Sequence, residues 1–279
     1  MKNRRDFFKT AGIGAAAAAL WPSALSAKSA DLYGQQANIE VGLASISMSK
    51  LSFEEMLATA KRIGLRSVSL KSMHAPLDSS KEKLAAIRAT AEYMGMKIVS
   101  AGVIYLKSKE EIDQAFEYAK ALGLPRIVGV PNYDLIDYVE EKVKQYDICM
   151  AIHNHGPDNL PYETPYVAYD KVKTRDKRVG LCIDPGHVVR VGIDPAEAVK
   201  KVADRLQEMH FWDVSKAEKE GVTCTAGTGV MNIPALVKML KKIGFNGYMN
   251  IEYLGNPEED RILNVANTAG YLKGIIKAV

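Results

Sequence analysis

Four of the five histidines in this chain of 279 residues sit within or just past short apolar runs, each beside other groups able to bind metal or move protons. His153-Asn154-His155-Gly156 closes one run, Asp184-Pro185-Gly186-His187 the next, His210-Phe211-Trp212-Asp213 a third, and Glu252-Tyr253 a fourth. The fifth histidine, His74, follows an earlier run. Imidazole nitrogen and carboxylate oxygen together suit Mn²⁺, Zn²⁺ or Co²⁺, with Mg²⁺ as a further candidate. Neighbouring strands of one sheet stand about 4.8 Å apart, so side chains at the ends of consecutive strands can meet at one ion. His153, Asp184, His210 and Glu252 each take the inward slot near the end of their run and form the expected ligand set for one divalent ion. A lone histidine is ordinarily a hydrogen-bonded structural residue, and Asp184-Pro185 by itself is an ordinary turn start. Glu252, flanked by Met249 and Ile251, has no such bland account, because burying an unpaired carboxylate is costly. His155 and His187 are then candidates for acid–base work, and His74, Asn154 and Asp213 for contact with substrate.

The elements that must position these groups repeat eight times. Apolar, β-rich runs cover 39–46, 66–70, 97–104, 126–130, 148–153, 179–184, 207–212 and 247–252, several nearly continuous, as parallel strands covered on both faces require. Between them lie helical patterns, such as Phe53, Met56, Leu57, Ala60 and Ile63, or Ile233, Leu236, Val237, Leu240 and Ile243. Ser52 with Glu55, Ser79 with Glu82 and Ser108 with Glu111 read as capping boxes, and Asp194-Pro195 as a further helix start. Gly64, Gly95, Gly123 and Gly244 stand where helices end and a left-handed residue is wanted. The last helix is expected over about 259–277. Eight strand–helix units predict a single α/β domain, a closed (β/α)₈ barrel over 31–279, with catalytic groups at the carboxyl ends of its strands. No Gly-x-Gly-x-x-Gly follows the first strand, which removes the usual dinucleotide reading, and Ala226-Gly227-Thr228-Gly229 reads as a flexible loop rather than a phosphate cradle.

Residues 1–30 read as an export signal. Lys2, Arg4 and Arg5 precede a small-residue apolar run over 11–20, too short to serve as a permanent membrane anchor, and Trp21-Pro22 ends it. Arg4-Arg5-Asp6-Phe7-Phe8-Lys9 resembles the twin-arginine motif, which implies the twin-arginine export machinery as a partner of the precursor and a periplasmic destination. Those thirty residues carry five basic side chains and one acidic, a net +4 that equals the charge of the whole chain. The remainder is therefore close to neutral and offers no global basic field for nucleic acid. Of the three cysteines, Cys149 and Cys182 read as buried small residues and Cys224 as a loop thiol, without the spacing of a zinc–thiolate site.

From about residue 38 to 276 the chain resembles the xylose isomerase-like barrel superfamily, which includes sugar phosphate isomerases and epimerases, D-tagatose 3-epimerase, inosose dehydratase and endonuclease IV. The resemblance rests on His153-Asn154-His155-Gly156, on Leu181-Cys182-Ile183-Asp184 with His187, and on His210 with Asp213. Its most specific stretch is Gly244-Phe245-Asn246-Gly247-Tyr248 leading to Glu252, preceded by Gly227-Thr228-Gly229 and Ile233-Pro234. It implies a metal held by Asp184, His210 and Glu252, and a sugar-like small molecule as substrate. It also implies abstraction of a proton next to a carbonyl, with Glu252 as base and His155 or His187 returning the proton. Epimerases of that group carry a glutamate on the fifth strand and work with two glutamates. His153 takes that slot here, a departure from the two-glutamate scheme. Export favours a non-phosphorylated substrate, so elimination from a 3-keto-glycoside by the same site is the second expectation. An exported carbohydrate-binding protein without catalysis is the third. An abasic-site nuclease would need more metal ligands and a basic track than this chain carries.

Overall fold

In a computed structural model, which describes residues 37–157, 161–255 and 260–279, eight parallel strands close into a barrel: β1 Asn38–Ala44, β2 Ser67–Leu70, β3 Lys97–Leu106, β4 Arg126–Pro131, β5 Cys149–His153, β6 Val179–Ile183, β7 Leu206–Phe211 and β8 Asn246–Ile251. Each strand lies between its neighbours in sequence, and β1 pairs with β8 through Asn38–Asn246 to Leu43–Ile251. The expected α/β (β/α)₈ barrel is therefore the fold, and all eight expected strands are present with no end moved by more than two residues. The described residues belong to a compact unit spanning Leu32–Val279. The expected export signal over 1–30 lies outside the described residues. Among the described residues no helix is long and apolar enough to cross a membrane.

Helices α1 Phe53–Arg62, α2 Lys81–Tyr93, α3 Lys109–Leu122, α4 Ile136–Tyr146 and α5 Pro165–Val172 each follow one strand. The β6–β7 connection carries two short helices, α6 Pro185–Arg190 and α7 Pro195–Lys201. α8 Ile233–Lys242 precedes β8 and α9 Arg261–Ala278 closes the chain. Ser52 and Glu55 form the full capping box expected for α1. The second box is displaced: Ser80, not Ser79, caps α2 by accepting from Lys83 N, because the helix starts at Lys81. Ser108 caps α3, while Glu111 turns back to Lys107 N, one residue short of a reciprocal box. Asp194 caps α7 with Pro195 at its first position, and Gly64, Gly95, Gly123 and Gly244 all take left-handed backbone at the ends of helices.

The main core lies between the barrel wall and its jacket of helices, built from side chains such as Met56 and Leu57 of α1, Ile112 and Phe116 of α3, and Leu236 and Leu240 of α8. Inside the barrel the lining is different. Val128, Ala151 and Cys182 form a small separate apolar cluster. Beside them stands a buried polar layer of Ser69, Ser100, Glu208 and Asn250. Ser100 on β3 bonds Glu208 on β7 at 2.6 Å, a contact between non-adjacent strands that only the barrel interior permits. Gly42 makes room for this layer, since a Cβ there would fall 2.2 Å from Asn250 Oδ1 and 2.6 Å from Ser67 Oγ. Of the three cysteines only Cys182 is buried. Cys149, at the start of β5, is partly exposed, contrary to its expected burial.

Candidate metal centre

Side chains alternate along a strand, so residues two apart face the same way. Inside this barrel that rule places Ala151 and His153 on β5, Cys182 and Asp184 at β6, Glu208 and His210 on β7, and Asn250 and Glu252 at β8 in two successive layers. The upper layer brings the four expected ligands together, all buried. His153, Asp184 and Glu252 each offer one ligand atom within 4.8 Å of one another. His153 Nε2 lies 3.7 Å from Asp184 Oδ2, and His210 Nδ1 lies 2.8 Å from Glu252 Oε2. His153, Asp184 and Glu252 join His155, His187, Arg190, Trp212, Val222, Thr223 and Leu254 around a cleft of about 330 Å³ at the carboxyl end of the barrel.

The surroundings of these atoms test whether they fit a cation. His153 Nδ1 and Nε2, His210 Nδ1 and Glu252 Oε2 are buried and have no hydrogen-bond partner among the described residues. Each such buried polar atom costs on the order of 1–3 kcal/mol if nothing binds it. His210 Nδ1 and Glu252 Oε2 are within bonding range yet out of hydrogen-bond alignment, as two ligand atoms aimed at a common cation would be. Burial pushes the His153 imidazole well below its usual range, with His155 and His210 adding to the effect, so it stays neutral with a lone pair free. Burial would raise the Glu252 carboxyl, but the Lys71 and His210 charges overcome it and hold it well below the usual carboxylate range. The residues fit a divalent ion. Cys182 Sγ also lies within 4.8 Å of ligand atoms of His153 and His210, but it sits one layer deeper, away from the cleft, and burial holds its thiol well above the usual range.

Residues 57–273 match the xylose isomerase-like TIM barrel family. The chain belongs to that family. Among characterised relatives, the rhizopine catabolism protein MocC of Rhizobium meliloti is 25% identical over 141 residues, covering 45% of this chain and 43% of that protein. An inosose dehydratase of Mesomycoplasma hyopneumoniae is 26% identical over 153 residues, covering 48% and 50%. The matches thus span half or less of these relatives' length. Among solved structures, an uncharacterized protein from Parabacteroides distasonis is 29% identical with a TM-score of 0.66, covering 84% of this chain and 98% of that one. The 3-keto-D-glucoside 4-epimerase of E. coli superposes with a TM-score of 0.69 over 85% of this chain and 100% of that one, at 16% identity, a likeness of fold.

Two imidazoles of this xylose isomerase-like barrel stand at the cleft beside the ligand set. His155 stacks on Tyr105, ring centroids 5.6 Å apart, with Nε2 3.2 Å from the Tyr105 hydroxyl and Nδ1 unpartnered among the described residues. Burial, reinforced by His187, lowers its pKa to about 4. Its folded pKa lies below the ordinary 6.5, so the unfolded chain binds the proton first as pH falls. Stability from the neutral ring is whole above pH 6.5 and is lost as pH drops toward 4, on the order of 3 kcal/mol in all. Urea unfolding between pH 7 and pH 4 is expected to show that slope in the wild type and a shallower one in His155→Gln. Equal slopes would remove the buried neutral ring. His187 sits edge-on to Trp212, centroids 5.3 Å apart, with Nδ1 3.2 Å from Arg190 Nη1.

The three expected substrate contacts are placed otherwise, because their polar atoms are already engaged. His74 has Nδ1 3.0 Å from Ser45 Oγ and Nε2 3.1 Å from Leu51 O. Ser45 Oγ also accepts from Lys71 N at 2.9 Å, so His74 braces the turn that carries Lys71. Asn154 accepts from Asp184 N and donates to Asp184 O, at 2.9 and 3.2 Å, locking the end of β5 to that of β6. Asn154→Ala strands both backbone groups, and a loss of about 2–4 kcal/mol is expected in urea unfolding. A change within 0.5 kcal/mol, the scatter of ordinary surface substitutions, would refute this. The Asp213 carboxylate accepts from the backbone N–H of Val214, Gly227, Gly229 and Met231. The glycine-bearing stretch after Ala226 is therefore wrapped around an internal carboxylate, not a loose loop.

Sequence reasoning missed Lys71, Trp212 and Glu208. Lys71 Nζ lies 3.0 Å from Glu252 Oε1 with both groups buried. The alternation Ser67, Ser69, Lys71 along β2 carried the signal, but the residue after Leu70 read as the start of a loop. Trp212 Nε1 donates to Asp184 Oδ2 at 2.8 Å, and His187 N donates to Oδ1 at 3.1 Å, so Asp184 is both helix cap and oriented carboxylate. Burial raises the Asp184 carboxyl, partly offset by His187 and these two donors.

Proposed function

We propose that this chain is a divalent-metal-dependent enzyme that removes a proton from carbon next to the carbonyl of a keto- or aldo-sugar, in the manner of a sugar isomerase or epimerase. The observation that carries the reading is the cluster of His153, Asp184 and Glu252 ligand atoms, with both His153 nitrogens buried and unpartnered among the described residues, at the floor of an open cleft. His153, Asp184, His210 and Glu252 would hold Mn²⁺, Zn²⁺ or Co²⁺, with Mg²⁺ a further candidate. When bound, the ion supplies Lewis-acid polarisation of a substrate carbonyl oxygen. Glu252 is ionised, and Lys71 and His210 steady its two oxygens, so it is the group placed to accept the carbon-bound proton. His155 and His187, 5.7 Å apart between ring centroids, stand on the cleft wall and return a proton to oxygen or carbon. Trp212 and Leu254 offer apolar surface against which a sugar's C–H face packs.

Elimination from a 3-keto-glycoside by the same site is the second reading. His153 stands where a two-glutamate epimerase carries its other glutamate, leaving imidazoles opposite Glu252, and inosose dehydratases, whose name denotes loss of water, are among the relatives. The basic and apolar start of the chain further supports action after export through the twin-arginine machinery to the periplasm, on a small-molecule sugar and not on nucleic acid. Metal content of the purified protein, followed by a screen of keto- and aldo-sugars in D₂O with Mn²⁺, Co²⁺ or Zn²⁺, tests the reading. Deuterium entering next to a carbonyl is expected. A protein that neither holds nor gains a divalent ion, yet binds a sugar, would be a carbohydrate-binding module instead.

A further inference from the structure

Below the ligand layer, two serines from two strands link His210 to a buried carboxylate. Glu208 is fully buried, and its carboxylate accepts from Ser100 Oγ at 2.6 Å, Asn250 Nδ2 at 2.8 Å and Arg126 Nη1 at 3.1 Å. Ser100 Oγ also lies 2.8 Å from Ser69 Oγ, its register partner on β2. Ser69 Oγ in turn lies 3.4 Å from His210 Nε2, and Glu208 Oε1 is 3.7 Å from the same nitrogen.

These contacts admit one direction of donation. A hydroxyl has one proton, and Ser100 spends its own on Glu208, which has only acceptor oxygens to offer. The contact between the two serines must then carry the Ser69 proton toward Ser100. Ser69 Oγ is left as an acceptor toward His210, so Nε2 must carry hydrogen.

We infer that Glu208, acting through Ser100 and Ser69, keeps a hydrogen on His210 Nε2, so that Nδ1 is the nitrogen that gives up its proton to an arriving divalent ion in the space shared with Glu252 Oε2. This rests on the metal reading above and names positioning residues for it, since outer partners set the tautomer and aim of ligating imidazoles. The arrangement also keeps a charge near the ligand that is not itself a ligand: Arg126 balances Glu208 at the barrel floor.

The decisive variant is Ser100→Ala, which frees the Ser69 proton to point at Nε2 and favours the wrong tautomer. Zn²⁺ titration calorimetry is expected to show binding weakened by about 10–100-fold in Ser100→Ala and restored by Ser100→Thr. Long-range ¹H–¹⁵N spectra of the Zn²⁺-loaded wild type give a second reading that does not depend on the variants folding, and His210 is expected with hydrogen on Nε2 and metal on Nδ1. Folded Ser100→Ala with wild-type affinity, or His210 bound through Nε2, would overturn the relay alone. Wild-type protein that binds no divalent ion would overturn the relay and the metal reading together.

Discussion

Glu252→Gln, assayed at saturating divalent ion, is expected to lower deuterium incorporation into a keto-sugar by about 10²–10⁴-fold, the usual contribution of a positioned general base. The amide keeps the shape and one acceptor oxygen but cannot take a proton at neutral pH. It also replaces the anion that faces Lys71 Nζ at 3.0 Å and His210 Nδ1 at 2.8 Å. Metal affinity should therefore fall as well, and the two losses separate by titration. Added ion restores occupancy, while the rate at full occupancy stays low. Exchange at the wild-type rate in loaded Glu252→Gln would take the base role away from Glu252 and pass it to His155 or His187, two imidazoles at the cleft outside the ligand set.

The second large effect has opposite signs for stability and for binding. His153 is 2% exposed, and both ring nitrogens lack a hydrogen-bond partner among the described residues. In a site built for a cation this arrangement is useful, whereas for the metal-free fold it is a cost. His153→Leu, close in volume, is expected to raise stability in the presence of chelator by about 1–3 kcal/mol. The same change should weaken divalent-ion binding by more than roughly 100-fold, the upper end of what even an outer partner contributes. At an ion concentration of about 100 Kd the wild type gains about 2.7 kcal/mol, and the variant less than about 0.5 kcal/mol. Urea unfolding with chelator and with added Zn²⁺ measures both. A leucine variant destabilised in chelator would mean that the imidazole serves the fold, and an undiminished gain from Zn²⁺ would place the ion elsewhere.

The convergence of four polar side chains at the ends of β5 to β8 was readable because strand periodicity and strand-end position are local properties. A period of two places His153, Asp184, His210 and Glu252 in equivalent slots wherever parallel strands close in order. The partners that the other candidates found were not legible for the same reason of locality. His74, Asn154 and Asp213 have the right residue types, but whether a polar side chain faces substrate depends on which backbone groups reach it first. Asp213 meets the N–H groups of Gly227, Gly229 and Met231, which lie 14 to 18 residues further on. Ser79 and Ser80 are equally good caps by composition, and the packing of α2 from Lys81 onward selected the second.

By itself, the chain's pattern of apolar runs, caps and glycines determined an eight-stranded α/β barrel and the four groups at its mouth, because each signal spans only a few residues. Closure of the barrel decided the rest. It set Lys71 against Glu252 across 181 positions, Ser100 against Glu208 across 108, and Ser69 beneath His210 across 141. Partners of that separation meet only when the eighth strand pairs with the first. The lysine beside the Glu252 carboxylate, the hydroxyl beneath His210 and the unpartnered state of His153 therefore belong to the tertiary structure.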